Sequence, residues 1–316
     1  MAKYVLRRVL SLAPMLFGVS VLVFLLMYLT PGDFLSAARN SKDISPEIVR
    51  QQEVKLGLDK PWYVQYGMWL NCVSPVKTKL LLPEAEKGEH GLVYFGSPDF
   101  GYSWSYKISV AQLLSQRLFA TFVLAAATLL LTYLIGIPLG VMAAVRRGGI
   151  FDRVSAALSY AALSMPSFFL ALLAVLFAAT SGIFPTGGQT SVMYEFLSPA
   201  GKLADYLRHL VLPSAVLSIG GIASLMRVMR ANFLEYKDCG FAATARAKGL
   251  GENAVMFKHV LRNALNPIIT SFGFSLSGLL SGALLVENVM NYPGLGQLIY
   301  NAILRQDQYV VMAGVV

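Results

Sequence analysis

Long apolar runs dominate the chain and determine its predicted architecture. Five of them, at 9–29, 118–145, 154–180, 210–230 and 266–286, are long enough to cross a bilayer. A helix of about 20 residues rises about 30 Å, the thickness of the hydrocarbon core. A sixth run, from residue 308 to Val316, is interpreted as a span cut short at the end of the sequence. The pattern predicts an all-α, polytopic membrane protein with six spans.

Residues 1–30 have two interpretations. Lys3, Arg7 and Arg8 precede the apolar run, as basic residues precede both signal peptides and first transmembrane helices. A signal peptide has an apolar stretch of about 7–15 residues, and this run is longer. Because no Ala-x-Ala-like site follows, we favour an uncleaved first span that ends at Thr30-Pro31-Gly32-Asp33.

Residues 31–117 are polar and rich in helix breakers, and we expect them to form an extracytoplasmic loop with short helices. Apolar residues at helical spacing predict one such helix over 44–56. Four aromatic residues suit either a membrane interface or the packing of a small loop subdomain, and the sequence leaves both open. These residues are Trp62, Tyr63, Tyr66 and Trp69.

Glycines and prolines within the core, residues 118–316, are candidates for close helix packing and for kinks. Small residues one helical turn apart let two helices approach closely. Proline bends a helix because it lacks a backbone donor and its ring crowds the preceding turn. The packing candidates are Gly136, Gly140, Gly278 and Gly282, and the kink candidates are Pro138, Pro166 and Pro213.

A basic segment at 238–265 separates the fourth apolar run from the fifth. It predicts two short helices, Phe241–Lys248 and Glu252–Leu265, because helix formers dominate the first and an apolar stripe marks the second. Gly249 falls where a left-handed C-terminal cap belongs. On spacing alone, an interfacial connector and a functional docking unit are equally favoured.

Two stretches of this segment carry a family resemblance: Thr244-Ala245-Arg246-Ala247-Lys248-Gly249-Leu250 and Leu261-Arg262-Asn263-Ala264-Leu265. They resemble the cytoplasmic EAA loop of ABC-importer permeases, specifically of the oligopeptide/dipeptide branch. Ala243 stands where the general loop has Glu. Further motifs that resemble this family occur at Leu56–Pro61, Asp99–Ser103, Ser164–Phe168 and Pro293–Gly296, so the resemblance covers nearly the whole chain.

The resemblance implies the type I permease fold of ABC importers and a transmembrane subunit that forms half of a pathway for peptides or peptide-like solutes. It implies three kinds of protein partner: a second homologous permease, two ABC ATPase subunits and an extracytoplasmic solute-binding protein. Relatives carry nickel complexes, glutathione or sugars, so a non-peptide cargo stays open. Relative to the family, residues 71–98 contain an insertion. The resemblance implies contact with the ATPase for Thr244, Ala245, Arg246, Ala247, Lys248, Gly249, Leu250 and Arg262.

The distribution of positive charge predicts the orientation. With a cytoplasmic N-terminus and alternating spans, the cytoplasmic segments hold thirteen Lys/Arg and four Asp/Glu, and the other segments hold thirteen of each. The whole formal net charge of +9 therefore falls on one face. The positive-inside rule places residues 238–265 in the cytoplasm. The family resemblance implies that the membrane is the bacterial inner membrane, which the chain would cross several times. The basic composition is therefore explained by the membrane topology and by attraction to anionic lipid, and no nucleic acid partner is expected.

The sequence offers little catalytic chemistry. It contains no G-x-x-x-x-G-K-[ST], the loop that cradles nucleotide phosphates, so we expect a transport subunit and not an enzyme. His90, His209 and His259 are far apart, and the predicted topology puts Cys72 and Cys239 on opposite sides of the membrane. No catalytic residue, metal site or cofactor is therefore expected.

Ionisable residues are missing from the first three apolar runs and from the fifth. Ion-coupled carriers usually keep such groups at depth, which makes a secondary transporter the weaker alternative. A channel would need a filter or polar ring, which the sequence does not contain. Glu287, just after the fifth run, is either a functional site or a solvated carboxylate at a helix end, and we favour the solvated carboxylate.

Overall fold

The apolar runs form helices, as their length and composition predict. The structure, a computed structural model, describes residues 2–32, 35–39, 45–78, 81, 93–103, 105–280 and 283–315. The chain divides into two units. One combines Met1–Gln116 with Leu298–Val316, and the other is Arg117–Gln297.

The first unit contains short helices and two small antiparallel hairpins besides its long N-terminal helix. The predicted helix over 44–56 is observed as Pro46–Leu56, with Ser45 accepting a hydrogen bond at its start and left-handed Gly57 at its end. The elements are α1 (Ala2–Leu29), α2 (Ser36–Arg39), α3 (Pro46–Leu56), α4 (Trp62–Val73), β1 (Val76–Thr78) paired with β2 (Val93–Phe95), and β3 (Tyr102–Ser103) paired with β4 (Ile108–Ser109).

The four aromatic residues of α4 divide between the two roles left open by the sequence, packing within the loop subdomain and exposure at a membrane interface. Tyr66 and Trp69 are buried and pack with Phe24 of α1. The Tyr66 hydroxyl also lies 2.8 Å from the hydroxyl of Ser20, within hydrogen-bond distance. Trp62 and Tyr63 are exposed, so only this pair is available to a membrane interface.

The remaining helices follow in chain order: α5 (Val110–Val145), α6 (Ile150–Ser164), α7 (Ser167–Ser181), α8 (Pro199–Lys237), α9 (Gly240–Ala247), α10 (Glu252–Ala254), a π-helix (Val255–Val260), α11 (Leu261–Ala264), α12 (Asn266–Leu280), α13 (Leu284–Val289), α14 (Leu295–Leu304) and α15 (Gln308–Val315). Three of the described helices are long and apolar enough to cross a membrane: α1, α5 and α8. The pair α6 and α7 forms a fourth candidate if it counts as one broken span.

Three predicted spans differ from the helices observed. The third, 154–180, is two helices that meet at an angle of 98° around Met165–Pro166. The fifth, 266–286, is interrupted, since α12 ends at Leu280 and Ala283 is not helical. The fourth, 210–230, is longer at both ends, since α8 runs from Pro199 to Lys237 and Ser198 caps its start by accepting a hydrogen bond from the Gly201 amide.

Candidate functional site

The segment between α8 and α12 folds as a helical loop around one left-handed glycine. Its first helix is Gly240–Ala247, one residue earlier than predicted at each end. Gly249 has a φ of +79°, the left-handed conformation expected from the sequence. Its amide donates to the Arg246 carbonyl at 2.9 Å, and the Leu250 amide donates to the Ala245 carbonyl at 3.3 Å. These bonds end the helix and turn the chain towards α10.

An ion pair closes this turn from the side. Arg246 Nε donates to Glu252 Oε2 and its Nη2 donates to Oε1, each at 3.0 Å. The same guanidinium donates to the Lys237 carbonyl at the end of α8. The hydrogen bonds from Arg246 hold the pKa of the Glu252 carboxyl below its ordinary value. Both partners are substantially exposed, so the pair fixes geometry more than it stabilises the fold.

Apolar packing attaches the loop to α8. Ala242, Val255 and Val260 are fully buried in one cluster with Met229 and Phe233 of α8. Side chains packed at native density transmit displacement because they have few alternative arrangements. The loop and α8 therefore share one apolar cluster, a connection suited to transmitting movement.

The second helix of the loop was predicted to be continuous, and it is not. Residues Val255–Val260 form a π-helix, and the Leu261 amide donates to the Met256 carbonyl five residues earlier. Such π segments are rare and are found disproportionately at functional positions. No feature of the sequence indicated it.

The residues predicted to contact an ATPase are mostly on the outer face of the loop. Ala245 is the exception, since it is buried in the apolar cluster that joins the loop to α8, and Arg246 is half-buried in its ion pair. Phe241 and Phe257 add exposed aromatic side chains that the sequence analysis did not select. The exposed members of the predicted set are Thr244, Ala247, Lys248, Gly249, Leu250 and Arg262.

Two of the predicted packing glycines lie where α5 meets α8. A β-carbon on Gly140 would be 2.7 Å from the Met226 carbonyl oxygen, and one on Gly136 would be 3.1 Å from the Leu225 side chain. A β-carbon on Gly278 would have no neighbour within 4 Å among the residues described. Gly282 lies outside the described residues.

The kink candidates occupy different positions in their helices. Pro166 precedes α7 at the 98° bend. Pro138 and Pro213 lie inside α5 and α8, which are assigned as helix without a break, so a kink at either residue stays a prediction.

Glu287 is a correction to the sequence analysis, because it is buried and not solvated, with only 1% of its surface exposed. Its carboxylate accepts hydrogen bonds from the Gln297 amide at 2.9 Å and the Thr121 hydroxyl at 3.4 Å. The Thr121 hydroxyl in turn accepts from the Leu295 amide at 2.7 Å. Glu287 therefore holds the turn Pro293–Gly296, one of the stretches that carry the family resemblance. Within the described part of the chain, no three His, Cys, Asp or Glu residues are grouped as metal ligands.

Comparison with known proteins gives two family matches. The profile described as binding-protein-dependent transport system inner membrane component matches residues 136–316. A second, described as the N-terminal part of a membrane component of such systems, matches residues 1–125.

Several curated proteins are similar along nearly their whole length. The oligopeptide transport system permease protein AppB of Bacillus subtilis is 34% identical over 99% of this chain and 91% of its own. A putative peptide transport system permease protein of Brucella abortus is 37% identical over 98% and 90%. The dipeptide transport system permease protein DppB of Escherichia coli is 31% identical over 100% and 91%. Among solved structures, a chain of the inward-facing MetNI methionine ABC transporter has a TM-score of 0.48 at 19% identity, covering 64% of this chain and 88% of that one.

Proposed function

Because this chain belongs to the family of binding-protein-dependent transport system inner membrane components, we propose that it is the transmembrane permease subunit of an ATP-driven importer of peptides or peptide-like solutes. The cargo is inferred from the similar proteins, which are described as oligopeptide, dipeptide and peptide permeases. The observation that carries the coupling role is the helical loop 238–265, with its left-handed Gly249 and its packing onto α8.

The proposed partners follow from the family. A second permease completes the pathway as a heterodimer, two ATPase subunits bind the loop, and a solute-binding protein delivers cargo from outside the cell. The N-terminal segment and every second inter-span segment after it together hold thirteen basic and four acidic residues. This excess of positive charge supports a cytoplasmic N-terminus and a cytoplasmic loop. Hydrolysis is assigned to the separate ATPase subunits, since this sequence has no Walker-type phosphate loop.

The proposed mechanism uses the loop as a handle. When the ATPase subunits close on nucleotide, they displace the exposed face around Lys248 and Leu250. Packing of Val255 and Val260 against α8 passes that displacement to a helix long enough to cross the membrane. Packed helices have discrete arrangements, so a small shift at the handle becomes a change between two states of the pathway.

The test is a reconstituted transport assay. The tagged full chain is purified from its native membrane with the subunits bound to it, placed in proteoliposomes, and supplied with peptide-loaded binding protein. We expect peptide uptake that requires ATP and stops with vanadate. Uptake driven by an ion gradient without ATP would support the secondary-transporter alternative and overturn the proposal.

A thermal-shift screen of the co-purified binding protein identifies the cargo class. Stabilisation by peptides supports the assignment, whereas stabilisation by a sugar, glutathione or a nickel complex alone would retain the importer and overturn the peptide cargo. The screen is informative because a ligand that binds only the folded protein raises its melting temperature.

A further inference from the structure

A cleft of about 680 Å³ lies between α6 and α8, away from the coupling loop. Its lining includes Asp152, Arg153 and Tyr160 from α6, and Arg227 and Arg230 from α8. All of these residues belong to the second unit. The proposed transport mechanism makes no use of this cleft.

The cleft lies where both helices change from apolar to charged sequence. In α8, the apolar run ends at Met226 and the next residue is Arg227. In α6, Arg153 is followed by the apolar stretch that begins at Val154. Two helices that cross a bilayer expose this kind of boundary at the level of the lipid headgroups.

Among the described residues that line the cleft, the one acidic group is already neutralised. Asp152 is 6% exposed, and its Oδ1 accepts from Arg230 Nε at 2.6 Å. Its Oδ2 accepts from Arg230 Nη2 at 2.8 Å and from the Gly148 amide at 2.9 Å. The carboxylate therefore presents little unbalanced negative charge to an incoming anion.

Two arginines remain to attract that anion. Arg153 and Arg227 are exposed, and neither has a carboxylate partner among the residues described. The Arg227 guanidinium carbon lies 4.5 Å from the centroid of the Tyr160 ring, an arrangement that orients the group and leaves its N–H donors available. Tyr160 and Val228 provide exposed apolar surface beside the charges.

We propose that this cleft binds the phosphate of an anionic phospholipid headgroup through Arg153 and Arg227, with the start of the acyl region against Tyr160 and Val228. Basic pockets between membrane helices are suited to such headgroups because they pair fixed cations with adjacent apolar walls. A soluble phosphate shares the ionic contacts but has nothing to place on the apolar side. The proposal depends on the helices crossing a bilayer and not on peptide transport.

The test counts bound lipid directly. The purified full-length protein with its co-purifying subunits is placed in nanodiscs of phosphatidylcholine containing a minor fraction of phosphatidylglycerol, and native mass spectrometry measures the phosphatidylglycerol retained. The Arg153→Gln/Arg227→Gln variant should lose roughly 30-fold in apparent affinity, which corresponds to about 1 kcal/mol for each arginine at the surface. Arg7→Gln/Arg8→Gln, which removes two exposed charges at the start of α1, should behave as the native protein.

A charge-preserving variant and a soluble anion complete the experiment. Arg153→Lys/Arg227→Lys should retain most of the binding, which shows that loss in the glutamine variant is not a folding defect. Equal loss in the glutamine variant and in the Arg7/Arg8 control would indicate general charge attraction and overturn the site. Displacement of phosphatidylglycerol by inorganic phosphate at a comparable concentration would overturn the lipid assignment. Phosphatidylglycerol binding seen only in the chain stripped of its subunits would also overturn it, since the cleft would then be a subunit contact. If the native protein shows no preference for phosphatidylglycerol but takes up peptide, this inference alone is refuted. If it shows the preference but no ATP-dependent uptake, only the transport function is refuted.

Discussion

Replacing Gly249 with a residue that resists the left-handed conformation should separate ATP hydrolysis from uptake. A β-carbon at this position would meet nothing within 4 Å, so the cost is in the backbone and not in packing. Left-handed geometry costs a non-glycine residue roughly 1–2 kcal/mol, and more if it is β-branched. A cost of that size lowers the equilibrium constant for forming the native turn about 5- to 30-fold for alanine, since about 1.4 kcal/mol is a factor of ten.

The assay measures peptide uptake and ATP hydrolysis in the same proteoliposomes. We expect Gly249→Asn to retain the most uptake, Gly249→Ala less and Gly249→Val the least. Asn tolerates the left-handed region better than other non-glycine residues, and a β-branched residue tolerates it worst. Hydrolysis should continue, since the proposed nucleotide site is on the separate ATPase subunits.

Gly251 provides the matched control. It is two residues away, equally open to an added β-carbon, and has φ −63° and ψ 146°, which any residue adopts. Gly251→Ala should therefore transport as the native protein does. Equal losses at 249 and 251, or normal uptake by Gly249→Val, would refute the argument that the turn geometry couples the two activities.

Four further predictions follow from individual residues. Asp152→Asn should destabilise the purified protein by about 1–2 kcal/mol, because it breaks the ion pair with Arg230, in which only the Asp152 side chain is buried. An unchanged melting temperature would contradict this. Gly140→Val should destabilise the chain by about 1–3 kcal/mol, measured by the same melt, because its side chain meets the backbone of α8. Gly278→Val should leave the melt of the isolated chain unchanged and weaken co-purification of the second permease; unchanged co-purification would place that glycine outside the subunit interface. The pKa of Glu252 is lowered by its arginine partner, so the stability contributed by the pair is present at neutral pH and lost as pH falls through the lowered pKa. The amide hydrogen-exchange rate of residues 249–254, corrected for the intrinsic rate at each pH, should therefore rise in the native protein as pH falls through that pKa. The Glu252→Gln variant should show no such rise.

The long apolar helices and the glycine cap could be predicted because they depend on residues that are close together in the sequence. The apolar runs predicted α1, α5 and α8 because a helix satisfies its own backbone in lipid. Gly249 was predicted as a left-handed cap because it follows a helix and lacks a side chain.

The features that were missed depend on distant parts of the chain. Pro166 indicated an interruption, but the 98° turn depends on how α6 and α7 each pack. Glu287 was interpreted as solvated because its neighbours in sequence say nothing of Thr121 or of the Gln297 amide, which bond it from other elements. The π-helix at Val255–Val260 has buried residues that pack with α8, contacts that its own sequence does not show.

The natural cysteines test the central claim, a coupling loop on the ATPase side of the membrane, most directly. Cys239 lies immediately before α9, and Cys72 lies in α4 of the segment proposed to be extracytoplasmic. Intact spheroplasts are treated with a membrane-impermeant maleimide, with Cys72→Ser and Cys239→Ser identifying each adduct. The account predicts labelling at Cys72 alone, with Cys239 reacting only in inverted vesicles. Labelling of Cys239 from outside would contradict it, because no cytoplasmic ATPase could then bind the loop.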